Sequence, residues 1–580
     1  MDKGQGCFQA DVVGIRRTMS STPWLLRLAS HLTRAAGRRG RQDFAEQARH
    51  TARVNADTLR AILQHNQDTD FGRRHGFASL HTVEDFQRAL PVSTYEPFRP
   101  YMERIARGEQ NVLTADRVEY LGITSGTTGQ NKLLPVTRPH LRHLQRATTI
   151  GLDVVAEQLP AIHRPTRGMI LMNAELHERS EGGLLMGALA AIATQSLGRA
   201  ASFALTSPPD AFSMRSHADA LYLHLLFGLR ERKLGYIMAP FATGLLDMVH
   251  LLEQRWQDLM EDLALGVVRP ALDLEPKQRR RLQSRMRPAP ERVRELTQAF
   301  EQGPHGLLRR LWPGLAFASS ITGASFSLYT QQLAPYLEGV PLYAANYVST
   351  ESTLGLALEL GRAVYCLLVG AAFFEFIPEQ ELDAESPTTL LPEQLVEGEA
   401  YELVLTTQAG LYRYRLGDVV RIVGRYHEAP LMEFLYRRGA LLNLMGEKTS
   451  EHAARLALEQ ALATEGLLPA DYSVVEETET FPRRYAFFVE LQEGARPHKD
   501  PERLNRALEE ALCRTNPAYE LNRRTERLGP TLLHRVAPGT FQALRDVLVQ
   551  RGASPTQVKV PRVVRDAELQ GLLRQRRVTG

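Results

Sequence analysis

Between Phe44 and Gln67 apolar residues recur at helical spacing (Ala48, Leu59, Ile62, Leu63), so the chain is expected to open with helices. The first thirty or so residues, ending in the basic run Arg38 to Arg41, lie outside that pattern and read as a loose arm, with Met1 and Met19 both candidate starts. Between Val118 and Thr137 two short apolar runs, VEYLGIT and KLLPVT, flank the polar insert TSGTTGQN, which predicts two strands joined by a glycine loop. From Leu141 to Phe300 helical stretches (Ala218 to Leu229, Gly244 to Leu263) alternate with short apolar runs (Met169 to Met172, Gly235 to Met238), as in α/β packing.

The pattern changes between Tyr401 and Arg437. YELVLTT, LYRYRL, DVVRIVG and LMEFLYRR, separated by glycine or proline turns, predict an antiparallel meander or barrel. Beyond Gly439 a helix capped by Thr449 or Ser450 is expected to run to about Thr464. Strands near Tyr472 to Glu477 and Arg484 to Leu491 follow, then a helix at Pro501 to Arg514, a strand at Pro530 to Val536 and a helix at Thr540 to Arg551. The expected architecture is α/β: an arm at 1–45, a large domain of mixed sheets, helices and a β-barrel-like portion at 46–438, and a smaller α/β domain at 439–580.

Composition narrows the function without deciding it. At 580 residues, 43% hydrophobic and 23% charged, the chain is ordinary globular material with room for two cores. A net charge of +4 is too small to indicate nucleic acid, and the densest basic stretch, Lys277 to Arg294, lacks interleaved aromatics and reads as solvated helix and loop. No run approaches the ~20 apolar residues of a membrane helix, so a soluble chain without a membrane partner is expected. Three cysteines, Cys7, Cys366 and Cys513, are too scattered for a local metal site and odd in number, which points to a reducing, cytoplasmic setting.

The loop from Thr124 to Lys132 combines hydroxyls, glycines and a lysine. Gly126 and Gly129 can take positive φ and let backbone amides converge on anionic oxygens. Thr124, Ser125, Thr127 and Thr128 can donate hydrogen bonds, and Lys132 brings positive charge, a set suited to a polyphosphate; a turn-rich polar hairpin would read the same way. Glu351, in NYVSTES after an apolar run, is placed to hold Mg²⁺ against phosphates, or is a solvated turn residue. Asp418, after Gly417 at a break between strands, suits the hydroxyls of a ribose, or belongs to an ordinary Gly-Asp turn. Lys448 and Lys559, both in the small domain, could bring charge to an α-phosphate on domain closure, although most lysines lie on surfaces. His177 and His427 have no distinguishing context, and no general base is assigned.

TSGTTGQNKLLP, YVSTE (Tyr347 to Glu351) and GLYRYRLGDVVRIVG (Gly410 to Gly424) resemble, in that order, the nucleotide motifs of the auxin-responsive acyl-acid amido synthetase family, a branch of the acyl-adenylate-forming enzymes. LWP (Leu311 to Pro313), ITGAS (Ile321 to Ser325), FFEFIP (Phe373 to Pro378), EKTSE and RGASPTQVKVPR (Arg551 to Arg562) are similar too, so the likeness runs from about Glu46 to the C-terminus. It reads as a bacterial-type member.

The resemblance implies that ATP and a small carboxylic acid give an acyl-AMP, and that an amine, normally an amino acid, then displaces AMP. It implies ATP contacts by Thr124, Ser125, Gly126, Thr127, Thr128, Tyr347, Ser349 and Thr350, a Mg²⁺-proximal Glu351, a ribose-binding Asp418, and catalytic lysines at Lys132, Lys448 and Lys559. It further implies a mobile small domain hinged near Arg437 to Gly439. The loop is one residue shorter than the usual plant form, and no acyl-pocket motif matches between Leu141 and Phe300, so no acid is named. The alternatives are an acyl-CoA ligase working through the same adenylate, and a catalytically silent binding protein of the same fold.

Overall fold

The computed structural model describes residues 23–578 apart from 125–131, 160–165, 173–177, 188, 190, 193–203, 215, 322–326, 439–441, 443, 445–446, 448, 481, 493–500, 525–527, 554 and 556–557. Helix α1 (Pro23–Arg49) and α2 (Thr51–Asn66) open it. Helix α1 thus occupies much of the segment expected to be an arm. Its glycines explain why: a Cβ on Gly37 would stand 2.8 Å from both Asp153 Cβ and Thr149 O, and one on Gly40 3.0 Å from Ile150 Cγ1. The missing side chains let α1 lie close against α3 (Arg138–Gln158), where Arg41 pairs with the buried Asp153 at 3.1 Å and with Glu157.

Strands β1 (Val118–Thr124) and β2 (Lys132–Thr137) pair antiparallel, with Thr124 opposite Lys132, as the flanking apolar runs predict. They form a sheet of order β2-β1-β5-β4 with β4 (Glu178–Arg179) and β5 (Leu185–Gly187). A parallel sheet of order β3-β6-β7-β8 joins β3 (Arg167–Ile170), β6 (Leu234–Phe241), β7 (Phe317–Ile321) and β8 (Leu342–Tyr343). Helices α4 (His217–Arg230), α5 (Ala242–Gln254) and α6 (Trp256–Leu265) share its largest apolar core, sealed by Trp312, whose Nε1 donates to Gly228 O at 2.9 Å. The basic stretch folds as helices Pro276–Gln283 and Pro290–Phe300, mostly exposed. Arg292 turns inward to donate to Leu229 O and Leu311 O, so part of the positive charge serves packing.

After α7 (Ser327–Leu333) the strand-rich portion is a single antiparallel sheet of order β12-β13-β14-β15-β11-β10-β9. Its strands are β9 (Asn346–Val348), β10 (Thr353–Leu356), β11 (Val364–Leu367), β12 (Phe373–Pro378), β13 (Ala400–Thr406), β14 (Tyr414–Tyr426) and β15 (Ala429–Arg437). The C-terminal part begins with α8 (Glu451–Ala463), capped by Ser450, whose Oγ accepts from Ala453 N at 3.1 Å. It continues through β16 (Pro469–Glu477), β17 (Arg484–Leu491), α9 (Pro501–Thr515), β18 (Leu532–Arg535), α10 (Thr540–Gln550) and α11 (Ala567–Gln575), with the strands in a three-stranded sheet of order β16-β17-β18. Its apolar clusters contain residues from 442 onward only, so it has a core of its own. No described helix is long and apolar enough to cross a membrane.

Candidate active site

The turn between β9 and β10 sits directly on β1. Ser349 N donates to Ser352 O at 3.0 Å, closing the turn, and Thr350 points at Gly122, where a Cβ would stand 2.5 Å from Thr350 Cγ2. Only a residue without a side chain at 122 allows this approach. It brings Glu351 close to Lys132, which pairs with Thr124 at the end of β1.

Glu351 is buried at 9% exposure and accepts from the Tyr414 hydroxyl at 3.4 Å. Lys132 Nζ lies 3.3 Å from the same hydroxyl, and 5.5 and 5.9 Å from the ring centres of Tyr95 and Tyr414. Tyr95 OH bonds both the carbonyl and the amide of Leu133 at 3.0 Å, fixing the start of β2. Burial lowers the Lys132 pKa, and the nearby Glu351 carboxylate partly opposes it. The neighbours of Tyr414 on the strand are both ion-paired, Arg413 with Glu375 at 2.9 Å in the interior and the part-buried Arg415 with Glu402, which fixes the backbone on either side of it.

Asp418 follows Gly417, which has φ 84°, and is buried at 3% exposure. Its two oxygens accept from Arg437 Nε at 2.5 Å and Tyr347 OH at 2.8 Å. The Asp418 charge raises the Arg437 pKa, while burial followed by Asp418 raises that of Tyr347. Arg437 retains 45% side-chain exposure, while its guanidinium is packed against Asp418.

Lys559 enters from the C-terminal part, its Nζ 4.5 Å from the centre of the Phe241 ring at the end of β6. Solvent reaches the residue, while the protein packed around its ammonium and the Arg437 charge push its pKa down to about 8 against a partial offset from Asp418. The structure thus brings Lys132, Tyr347, Glu351, Asp418 and Lys559 close together. Ser349 and Thr350 build the turn that carries Glu351. Ser125, Gly126, Thr127, Thr128 and Lys448 lie outside the described residues, as does His177, and Thr124 is described only through its backbone pairing with Lys132. His427 occupies an exposed hairpin turn at φ 53°.

Sequence reasoning missed Tyr95, Phe241, Tyr414 and Arg437. For Arg437 a signal existed. Counting back in plain antiparallel register from the Tyr426↔Ala429 end of the β14–β15 hairpin pairs Asp418 with Arg437, because its two register shifts cancel.

The cluster combines Lys132, Arg437 and Lys559 with two buried carboxylates, Glu351 bonded by Tyr414 and Asp418 bonded by Tyr347. AtGH3.15 acyl acid amido synthetase, solved in complex with 2,4-DB, has a similar structure, with a TM-score of 0.85 at 24% identity over 94% of this chain and 96% of that one. A more distant likeness is 2-hydroxyisobutyryl-CoA ligase in complex with 2-HIB-AMP, with a TM-score of 0.54 at 14% identity over 90% and 91% of the two chains. The fold is that of the acyl-adenylate-forming enzymes.

Models of the GH3 family N-terminal, central and C-terminal domains match residues 40–342, 365–437 and 452–568. A probable indole-3-acetic acid-amido synthetase, GH3.1 of Oryza sativa subsp. japonica, is 31% identical over 558 residues, covering 90% of this chain and 88% of that protein. The chain belongs to the GH3 family.

Proposed function

We propose that this protein is an ATP-dependent acid–amino acid ligase. The carboxylate oxygen of a small acid attacks the α-phosphorus of ATP and pyrophosphate leaves. The amine nitrogen of an amino acid then attacks the acyl carbon, AMP departs with the acyl C–O electron pair, and the ammonium proton is lost. The observation that carries this reading is the linked pair of clusters Lys132–Tyr414–Glu351 and Tyr347–Asp418–Arg437, with Lys559 facing them.

In this reading the β1–β2 loop, through Thr124, Ser125, Gly126, Thr127 and Thr128, surrounds the phosphates. Tyr347, Ser349 and Thr350 line the nucleotide, and Asp418 accepts from the ribose hydroxyls. Lys132 and Lys559 stabilise charge that grows on the phosphates as pyrophosphate leaves, and Lys448 serves after the small domain, 439–580, has turned on the large one, 46–438.

A magnesium ion fits at Glu351. Among the described residues no group of three or more His, Cys, Asp and Glu side chains stands ready for a metal, and Mg²⁺ commonly takes one carboxylate and draws its other ligands from phosphate and water. Bound there, it would neutralise phosphate charge. The unpaired thiols Cys366 and Cys513 suit a cytoplasmic setting.

The test is acid-dependent exchange of pyrophosphate into ATP over a panel headed by indole-3-acetate, the acid in the names of several relatives, followed by an amino-acid screen with the best acid. AMP release that requires an amino acid is the expected result. Release that requires coenzyme A instead would make this an acyl-CoA ligase, and no exchange with any acid would refute the enzymatic reading.

A further inference from the structure

Away from these clusters, the two parts meet at a buried polar junction. Asp471, at 4% exposure near the start of β16, accepts from the hydroxyl of Tyr329 on α7 at 2.7 Å. The same carboxylate pairs with Arg562 and lies 3.9 Å from Arg545. Arg545 also reaches Asp247 on α5 at 3.5 Å, and Gln332 Nε2 donates to Ala470 O at 2.8 Å. Tyr329, Gln332 and Asp247 belong to the large part; Asp471, Arg545 and Arg562 belong to the small one.

This junction is connected mechanically to Lys559. Arg562 follows Lys559 by three residues, a span of no more than about 11 Å. The intervening backbone is tied to β16: Ser473 Oγ donates to Pro561 O at 2.7 Å, and Val474 N to Arg562 O at 2.6 Å. On the other side, α5 begins immediately after Phe241, the ring under the Lys559 ammonium, and carries Asp247. One short segment and one helix therefore link the junction to both the lysine and its aromatic seat.

We infer that the Tyr329–Asp471–Arg562 junction, reinforced by Arg545 with Asp247, is a latch that holds Lys559 in place for acid activation and must release for amide formation. The inference rests on the ligase reading above. Hydrogen bonds to charged groups suit such a role, since each is strong when closed and is replaced by water when open.

The latch predicts an unequal effect on the two half-reactions, whereas a merely structural contact would affect both alike. Tyr329→Phe removes the hydroxyl and keeps the ring; Asp247→Asn removes the second tie. In the full-length protein each variant is assayed for acid-dependent ATP–pyrophosphate exchange, and separately for amide formation from the chemically prepared acyl-adenylate of the same acid. Tyr329→Phe should slow exchange about tenfold and Asp247→Asn about threefold, with amide formation unchanged or faster. Equal losses in both half-reactions, or exchange as fast as wild type in both variants, would overturn the latch while leaving the ligase intact. Absence of exchange in the wild-type protein would overturn the ligase reading and the latch with it.

Discussion

The pH dependence of acid activation offers a direct test of Lys559. The protein packed around its ammonium and the Arg437 charge bring its pKa from an ordinary 10.5 to about 8. If the ammonium must be charged to meet ATP, about nine-tenths of the free enzyme is competent at pH 7 and about one-tenth at pH 9. The kcat/KM for ATP, which reports the free enzyme, should therefore fall about tenfold over that interval. An ordinary lysine would remain almost fully charged across it. Bound phosphates favour the ammonium and raise its pKa again, so kcat should fall at higher pH than kcat/KM.

Pyrophosphate exchange is the appropriate assay because it omits the amino acid, whose own titration would otherwise enter the profile. Lys559→Arg keeps the charge at every pH used and should flatten the profile, even if its rate is lower. Lys132 is also depressed by burial, so Lys132→Arg serves as the paired control. A wild-type kcat/KM that stays level to pH 9, or a Lys559→Arg profile with the full tenfold fall, would refute the reasoning.

Lys132→Ala should slow exchange by ~10² to 10³, with the loss mainly in kcat if the charge acts in the transition state. Gly122→Ala should displace the turn bearing Glu351, because its Cβ would come 2.5 Å from Thr350 Cγ2; exchange should drop at least about tenfold. Adding Thr350→Ser removes that methyl and keeps the hydroxyl, so the double variant should recover most of the rate, and failure to recover would refute the steric account. Glu375→Ala leaves Arg413 without its carboxylate in the interior, at an expected cost of ~3–5 kcal/mol, read as a lower urea midpoint for the large part. An unchanged midpoint would show that Arg413 finds equivalent partners.

The strands and helices around the site were largely legible because their periodicities are local. The β1–β2 pair, the β14–β15 hairpin and the Ser450-capped α8 lie within a few residues of the sequence expectation. Helix α1 was not legible: the segment ending in Arg38 to Arg41 lies outside the apolar spacing of the next helix, and its fit becomes visible only when α3 is placed against Gly37 and Gly40. In the site, Glu351 stood out as a carboxylate in a turn, which lies between β9 and β10; Asp418 stood out beside Gly417, but the expected break there is absent, because β14 runs through both residues. Tyr414 and Tyr95 did not, since an aromatic in a strand or short helix ordinarily reads as core, and only the fold places their hydroxyls beside Lys132 and Leu133. Phe241 was hidden for the same reason. Its partner lies more than three hundred residues away in another part of the chain.

The Tyr329–Asp471–Arg562 junction also has a thermodynamic consequence. Among the described residues, no apolar cluster spans the large and small parts; every cluster lies on one side or the other. Parting them would thus wet mainly polar surface, and the heat capacity of the protein would change little. A van't Hoff plot of how often the two parts separate should then be close to a straight line. Dissolved salt acts on the parted state, in which Arg545, Asp247 and Asp471 are solvated and screened, and should favour separation modestly.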